Sequence, residues 1–291
     1  MKIYEENKKI IIKEIDNFDL EQIFESGQEF RWIKENDGSY TGIVKNKILN
    51  LSQDDSTVYF NNTTLKDFQN IWYDYFGFDI DYKYIKETLS NIDDKMKTVI
   101  EHNGNQRILN QDKWETLIAF ILSTNNSIQM VEKVINNLSI KYGEYIGDFN
   151  GRQYYSFPSP EKLASLSLEE LRNCKMGFRD KYVKAASQTI VSGEINLDNI
   201  ANLNTTECIK ELKNINGIGT KVADCIAMFS MKKSDVFPVD IWMKRIMEEF
   251  YIDSNMSVPK IREFAINKFG DLSVYAQQYL FNYARKHQIG K

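Results

Sequence analysis

The sequence predicts an α+β fold, in which a small N-terminal antiparallel β-sheet domain precedes a larger all-helical region containing a helix-hairpin-helix motif. Apolar and polar residues alternate through roughly the first sixty residues, which is the pattern of half-buried strands. From residue 65 onward the apolar residues recur at the three- and four-residue spacings of helices. Two glycines near residue 217 mark a short turn between two of these helical segments.

The N-terminal domain, residues 1–100 with flanking helices, contains the predicted strands. They cover residues 8–13, 30–34, 39–44, 47–51 and 57–60. Asn36-Asp37-Gly38 is a hairpin turn between the second and third strands. These elements predict an antiparallel meander.

The helical region, residues 101–291, begins with a clear amphipathic pattern. Trp114, Leu117, Ile118, Ile121 and Leu122 share one helix face. Helices are predicted at about 82–101, 127–141, 159–165, 168–174, 178–192, 205–213, 220–231, 241–251, 258–269 and 272–287. The segments at 205–213 and 220–231 form the helix-hairpin-helix.

The composition is that of an ordinary globular protein, with 42% hydrophobic and 27% charged residues among 291. No apolar run approaches the roughly 20 residues of a membrane span, and the first residues lack a signal core. We expect a cytoplasmic monomer without a membrane partner. If the source is bacterial, DNA would hold the protein at the nucleoid.

The metal-binding residue types are sparse. Cys174, Cys208 and Cys225 are far apart without a Cys-x-x-Cys motif, and there are only two histidines. This pattern argues against a disulfide framework, a zinc site and an iron–sulfur cluster. We expect that no cofactor is required.

The charge distribution leaves two interpretations open. A net charge of −4 argues against nucleic-acid binding, but residues 210–245 contain seven basic and four acidic residues. That local balance of +3 fits either a DNA-facing surface or a solvated helix face.

The turn at residues 215–219 has features that favour the binding of a phosphate. Gly217 and Gly219 permit a close approach of another backbone, and the unpaired N–H groups of the next helix favour an anion. Such a turn can also simply cap a helix. Lys221 lies in the first helical turn, where the helix dipole disfavours a positive charge, and a neutral lysine is a nucleophile suited to Schiff-base chemistry.

Asp240 follows Phe237-Pro238-Val239 and precedes a helical pattern, so it is predicted as an N-cap. A capping carboxylate can also stabilise positive charge on a sugar and take part in proton transfer. The sequence alone does not separate these roles.

The motif from Leu212 to Asp240 resembles the helix-hairpin-helix, Gly/Pro-rich loop and aspartate signature of base-excision DNA glycosylases. Residues 26–32 (SGQEFRW), 123–128 (STNNSI) and 276–281 (AQQYLF) resemble one branch, the 8-oxoguanine DNA glycosylase/AP lyases. The resemblance covers nearly the whole chain. It implies a bifunctional enzyme that flips 8-oxoguanine out of double-stranded DNA, excises it through a lysine Schiff base and nicks the abasic strand.

The resemblance also implies roles for individual residues. The catalytic pair would be Lys221, which attacks C1′, and Asp240, which assists it. The base pocket would consist of Gly27, whose carbonyl accepts the N7–H of 8-oxoguanine, with Cys225, Gln277 and Phe281. Residues implied to contact DNA are Asn125, Phe178, Arg179, Gly217, Gly219 and Val222. Backbone carbonyls of Lys213, Ile215 and Ile218 would hold a structural monovalent or divalent cation.

One departure concerns the opposite base. Met130 stands where eukaryotic relatives have an arginine that grips cytosine, which predicts a relaxed opposite-base preference.

Two alternative functions remain open on the sequence. A monofunctional alkyl-base glycosylase uses an activated water, which Lys221 disfavours. A non-catalytic helix-hairpin-helix DNA-binding protein would need neither Lys221 nor Asp240.

Overall fold

The N-terminal part of the protein is built on a six-stranded antiparallel sheet. The computed structural model describes residues 1–290. The strands of this sheet are β1 (Lys2–Glu6), β2 (Lys9–Lys13), β3 (Ile33–Lys34), β4 (Tyr40–Val44), β5 (Lys47–Asp54) and β6 (Thr57–Asn61). Their spatial order is β1-β2-β6-β5-β4-β3. The predicted antiparallel sheet is therefore confirmed, but it is not a simple meander, because β2 pairs with β6 rather than with β3. The strand β1 was not predicted because all five of its residues are exposed and carry no burial pattern.

Helices dominate the rest of the chain. The first group is α1 (Leu20–Phe24), α2 (Leu65–Asp67), α3 (Tyr73–Tyr75), α4 (Tyr82–Ser90), α5 (Asp94–Asn103), α6 (Lys113–Ser123), α7 (Ile128–Tyr142), α8 (Pro160–Ser165) and α9 (Leu168–Arg172). The second group is α10 (Asp180–Val191), α11 (Leu197–Ala201), α12 (Thr205–Lys213), α13 (Thr220–Ser230), α14 (Ile241–Phe250), α15 (Val258–Phe269) and α16 (Ser273–Lys286). A π-helical turn (Phe68–Trp72) joins α2 to α3, and 3₁₀ turns (Gly177–Arg179 and Gly270–Leu272) precede α10 and α16.

Two local differences from the predicted elements have clear causes. The helix expected at 82–101 is two helices, because the Asp93 side chain accepts the Met96 N–H at 2.9 Å and starts α5 anew. The helical region also contains a two-stranded hairpin, β7 (Tyr145–Phe149) and β8 (Arg152–Tyr155). Asn150 and Gly151 supply the positive φ angles of its turn, so this region is not entirely helical.

Three hydrophobic cores determine where the helices sit. The first lies under the sheet and contains Phe60, Trp72 and Phe76. The second surrounds α6 and α13. The third packs α4 and α5 against α14, α15 and α16. Residues 82–103 therefore pack with the C-terminal helices rather than with the sheet.

An ion pair ties the second core to the third. Arg262 of α15 donates to both carboxylate oxygens of Asp224 in α13, at 2.6 and 2.8 Å. The Asp224 side chain is fully buried, so its charge depends on this bidentate pairing. The pair fixes α13 relative to α15.

None of the helices within residues 1–290 combines the length and the apolar character that crossing a bilayer requires. The three cysteines are free and buried.

Candidate active site

The hairpin between α12 and α13 presents an open helix N-terminus. Gly217 has φ +94°, and a Cβ there would lie 2.7 Å from Cγ of Tyr182, so the turn requires glycine and packs directly on that ring. Gly219 starts α13 with an extended backbone and without a side-chain cap. No heavy atom of residues 1–290 outside its immediate neighbours lies within 4 Å of the position its Cβ would take. The first N–H groups of α13 are thus accessible to an anion.

Lys221, the second residue of α13, is half-buried rather than extended into solvent. Its Nζ lies 5.6 Å from the centroid of the Phe120 ring in α6. Cys225 lies one turn further along α13 and is 4% exposed. Burial raises the pKa of the Cys225 thiol to about 11, the charge and hydrogen bond of Lys221 oppose that rise, and Asp240 adds to it. The amine, the thiol and the carboxylate therefore share one electrostatic environment, in which the thiol is protonated at neutral pH.

Asp240 is the N-cap of α14, as predicted. Its Oδ1 accepts the Met243 N–H at 2.8 Å. The preceding residues hold it in place, because Phe237 and Val239 are buried. Capping uses one carboxylate oxygen, so the cap and a chemical role are compatible.

The candidate base pocket lies along α16. Gln277 is 5% exposed, and its Nε2 donates to the carbonyl of Pro238 at 3.3 Å. Its Oε1 is buried and has no hydrogen-bond partner among residues 1–290. Phe281 follows one turn later and is partly exposed. A buried acceptor without a donor carries a desolvation penalty, which a ligand with an N–H group would remove.

Gly27 faces the same helix from the sheet domain. Its φ is +75°, and a Cβ would lie 2.7 Å from Cδ1 of Ile128 and 3.2 Å from Nη1 of Arg285. The next residue, Gln28, is fully buried. Its Nε2 donates to the Arg107 carbonyl at 2.8 Å, and its Oε1 accepts the Leu109 N–H at 2.9 Å. These bonds fix the turn that carries Gly27.

A cleft of about 850 Å³ opens between the sheet and α7. Gly27 and Arg285 line it, whereas Lys221, Asp240 and Gln277 do not. The cleft and the candidate base pocket therefore meet at Gly27 and Arg285.

The residues predicted to contact DNA divide into two kinds. Phe178 is 53% exposed and presents its ring to solvent, and Met130, which was predicted only as the departure at the opposite base, is 39% exposed. Arg179, in contrast, is 8% exposed. Its Nη2 donates to the Asn125 carbonyl at 2.8 Å and its Nε to the Thr124 carbonyl at 2.9 Å. In the free protein Arg179 therefore supports the loop that presents Asn125, and its contact with DNA stays a prediction.

The predicted cation ligands are backbone carbonyls of the hairpin. The Ile215 carbonyl accepts the Ile218 N–H at 3.1 Å, while the carbonyls of Lys213 and Ile218 accept no hydrogen bond from residues 1–290. Free carbonyl oxygens fit a hard cation. No group of three or more His, Cys, Asp or Glu side chains within residues 1–290 forms a metal site.

One residue near the site was not predicted. Arg285 lies against the Gly27 turn and beside the ring of Phe281, which precedes it by four residues. The helical spacing of Gln277, Phe281 and Arg285 was a usable signal, because residues four apart share a helix face.

Known proteins resemble both parts of the chain. Residues 10–117 match the family model of the 8-oxoguanine DNA glycosylase N-terminal domain, and residues 118–270 match that of the HhH-GPD superfamily base excision DNA repair proteins. The crystal structure of the Clostridium acetobutylicum 8-oxoguanine glycosylase/lyase, in complex with double-stranded DNA containing cytosine opposite 8-oxoguanine, is 42% identical with a TM-score of 0.97. The alignment covers 99% of each chain.

Two eukaryotic enzymes are more distant relatives. The N-glycosylase/DNA lyase OGG1 of Arabidopsis thaliana is 28% identical over 89% of this chain and 75% of its own length. The N-glycosylase/DNA lyase of Saccharomyces cerevisiae is 29% identical over 90% of this chain and 82% of its own length.

Proposed function

We propose the function of this protein from one premise: the chain belongs to the HhH-GPD superfamily of base excision DNA repair proteins, in the branch of the 8-oxoguanine DNA glycosylase/AP lyases. It excises 8-oxoguanine from duplex DNA and cleaves the strand at the abasic site that results. The observation that carries this assignment is the placement of Lys221, which is half-buried at the open end of α13 and shares its environment with Cys225 and Asp240.

Lys221 supplies the nucleophile. After Lys221 has given up a proton, the lone pair of its amine forms a bond to C1′ of the flipped nucleotide, and the bond from C1′ to N9 breaks with its electron pair leaving on the base. Loss of a proton from the amine and opening of the sugar give an imine between Lys221 and C1′. The imine then acidifies C2′, so a C2′ proton passes to a base, a C2′–C3′ double bond forms, and the C3′–O bond breaks with its electron pair leaving on the 3′ phosphate.

Asp240 supplies a negative charge that assists these reaction steps. Its carboxylate stabilises the positive charge that develops on the sugar as the base leaves. It also offers an oxygen for proton transfer, because the cap to Met243 occupies Oδ1 alone.

The pocket selects the damaged base before the bond between C1′ and N9 is broken. The Gly27 carbonyl accepts N7–H, which 8-oxoguanine has and guanine lacks. The base stacks between Cys225 and Phe281, and its Watson–Crick edge donates to the unpartnered Oε1 of Gln277. A guanine in this position leaves the Gly27 carbonyl unpaired, and that loss disfavours the undamaged base.

The DNA backbone is held at the hairpin. The N–H groups at Gly217, Gly219 and Val222 contact a phosphate, which needs no base sequence. The carbonyls of Lys213, Ile215 and Ile218 would hold a cation, whose positive charge would offset the negative charge of the phosphate.

The gap left by the flipped base is filled from the other side of the duplex. Asn125 enters the stack, with Arg179 behind its loop and Phe178 as an exposed aromatic wedge. The side chain of Met130 has no hydrogen-bond donor for the opposite base, so the preference for cytosine is weak.

A borohydride trap tests the assignment. Wild-type protein, Lys221→Gln and the matched control Lys210→Gln, at an exposed helical lysine, are incubated with 8-oxoguanine DNA and with guanine DNA. We expect a covalent adduct only with the lesion, retained in Lys210→Gln and lost in Lys221→Gln. Excision without an adduct would instead indicate a monofunctional glycosylase, and binding without either would indicate a non-catalytic protein.

A further inference from the structure

Arg285 has no role in the reaction described above, yet it contacts several parts of the pocket. It follows Phe281 by one helical turn, and its Cζ lies 5.4 Å from the centroid of that ring. Its Nη1 donates to the Glu25 carbonyl at 3.3 Å. The same atom is 3.2 Å from the position that a Cβ of Gly27 would take. One guanidinium thus lies between the Gly27 turn and the aromatic face of the pocket.

The guanidinium is charged but poorly supplied with acceptors. Burial lowers the pKa of Arg285, and the carboxylates of Asp240 and Glu25 oppose this shift. Among residues 1–290, the Glu25 carbonyl is its single hydrogen-bond acceptor. A guanidinium has five N–H donors, so most of its donors remain available to a ligand in the pocket.

The chemistry of the lesion suggests which ligand atom this is. 8-Oxoguanine differs from guanine at two adjacent atoms, N7, which carries a hydrogen, and C8, which carries an oxygen. A base whose N7–H reaches the Gly27 carbonyl places O8 beside the same turn, where Nη1 of Arg285 lies. Guanine presents a C8–H group there, whose partial positive charge a cation disfavours.

We propose that Arg285 is a second specificity determinant, which donates a hydrogen bond to O8 of the flipped base while Gly27 accepts from N7–H. This inference rests on the proposed function. It extends from binding to the rate, because the electron pair released when the C1′–N9 bond breaks is shared between N9 and O8 of the leaving base. A cation at O8 stabilises that charge, and this stabilisation is stronger while the C1′–N9 bond breaks than in the bound substrate.

The test compares excision of the base with cleavage at an abasic site that contains no base. Arg285→Gln removes the charge, Arg285→Lys keeps it, and Lys286→Gln changes the exposed neighbouring lysine as a control. In single-turnover assays with 8-oxoguanine DNA, we expect Arg285→Gln to slow excision roughly 10- to 100-fold, in line with a hydrogen bond to a charged group. We expect Arg285→Lys to recover part of that loss and Lys286→Gln to match the wild type. Cleavage of a preformed abasic site should change less than about 3-fold in every variant.

A substrate change isolates the atom on C8. 8-Thioguanine keeps N7–H and replaces O8 with sulfur, which is a poorer acceptor. If Arg285 reads this atom, Arg285→Gln has a smaller effect on the removal of 8-thioguanine than of 8-oxoguanine. A purely structural role would slow both equally.

Several results would overturn the inference. Unchanged excision in Arg285→Gln would remove any role in recognition, and faster excision would show that the guanidinium occupies the place of the base. Equal losses in excision and abasic-site cleavage would reduce Arg285 to a structural residue. Failure of the wild type to excise 8-oxoguanine would contradict the proposed function instead.

Discussion

Replacement of Gly27 by alanine should separate recognition of the lesion from stability. An L-residue in the left-handed region loses about 1–2 kcal/mol, and the reduced entropy of the unfolded chain offsets about 0.4–1 kcal/mol of it. The expected loss from backbone strain is therefore about 1 kcal/mol. The added Cβ would also lie 2.7 Å from Cδ1 of Ile128 and 3.2 Å from Nη1 of Arg285. Either these two side chains or the turn must move to relieve the contacts, and we expect the turn and its carbonyl to shift in part.

Gly38 provides the matched control for this change. It has φ +84°, close to the +75° of Gly27, but within residues 1–290 a Cβ there meets no atom closer than 4 Å. Gly38→Ala should therefore show the same backbone strain without the steric contact. Gly38→Ala should lose about 1 kcal/mol in urea denaturation and Gly27→Ala at least as much, while Gly27→Ala alone should lose roughly 10-fold or more in single-turnover excision of 8-oxoguanine. Equal excision rates in the two variants would refute the reasoning that the Gly27 carbonyl is placed by close packing.

Two further changes test the charge and the DNA contacts. Burial raises the pKa of Glu29 from 4.5 to about 8, with Glu115 adding to the shift and the Arg31 N–H opposing it. The folded state therefore binds this proton more tightly, so stability should fall on the order of 2–5 kcal/mol as pH rises from 4.5 to 8. Glu29→Gln should flatten that slope in urea denaturation, and identical slopes would contradict the burial of this carboxyl. Met130→Arg should raise the preference for cytosine roughly 5- to 100-fold, measured as excision opposite C, A, G and T; unchanged ratios would show that residue 130 does not face the opposite base.

The fold was largely predictable because its signals are local. The strands follow from alternation and from turns such as 36–38, and the structure pairs β4 with β5 and β5 with β6 as in a meander. The pairing of β2 with β6 departs from the predicted meander, because local patterns do not specify which distant strands become neighbours. The β7–β8 hairpin was missed although Asn150-Gly151 is a strong turn signal, because its short strands lie among helical patterns. The break between α4 and α5 was missed because the apolar period continues across it, and only the capping of Asp93 ends it.

The candidate site was predictable where its residues lie close together in the sequence. The hairpin, Lys221 and the capping role of Asp240 depend on residues between positions 205 and 243. The contact of Gly27 with Arg285 joins residues that are far apart in sequence, and no periodicity specifies it. Likewise, the commitment of Arg179 to the Thr124 and Asn125 carbonyls depends on how α10 meets α6 and α7.

The proposed nucleophile and part of the proposed base pocket lie on two different helices, which has a consequence for how the range of substrates evolves. The proposed nucleophile, Lys221, belongs to α13, which packs in the second core, whereas Gln277, Phe281 and Arg285 follow one stripe of α16, which packs in the third core. On the proposed function, substitutions along that stripe would change which damaged base is accepted, while Lys221 and Asp240 stay in place. A repair enzyme arranged in this way can gain activity on a different damaged base through substitutions at a few positions of one helix.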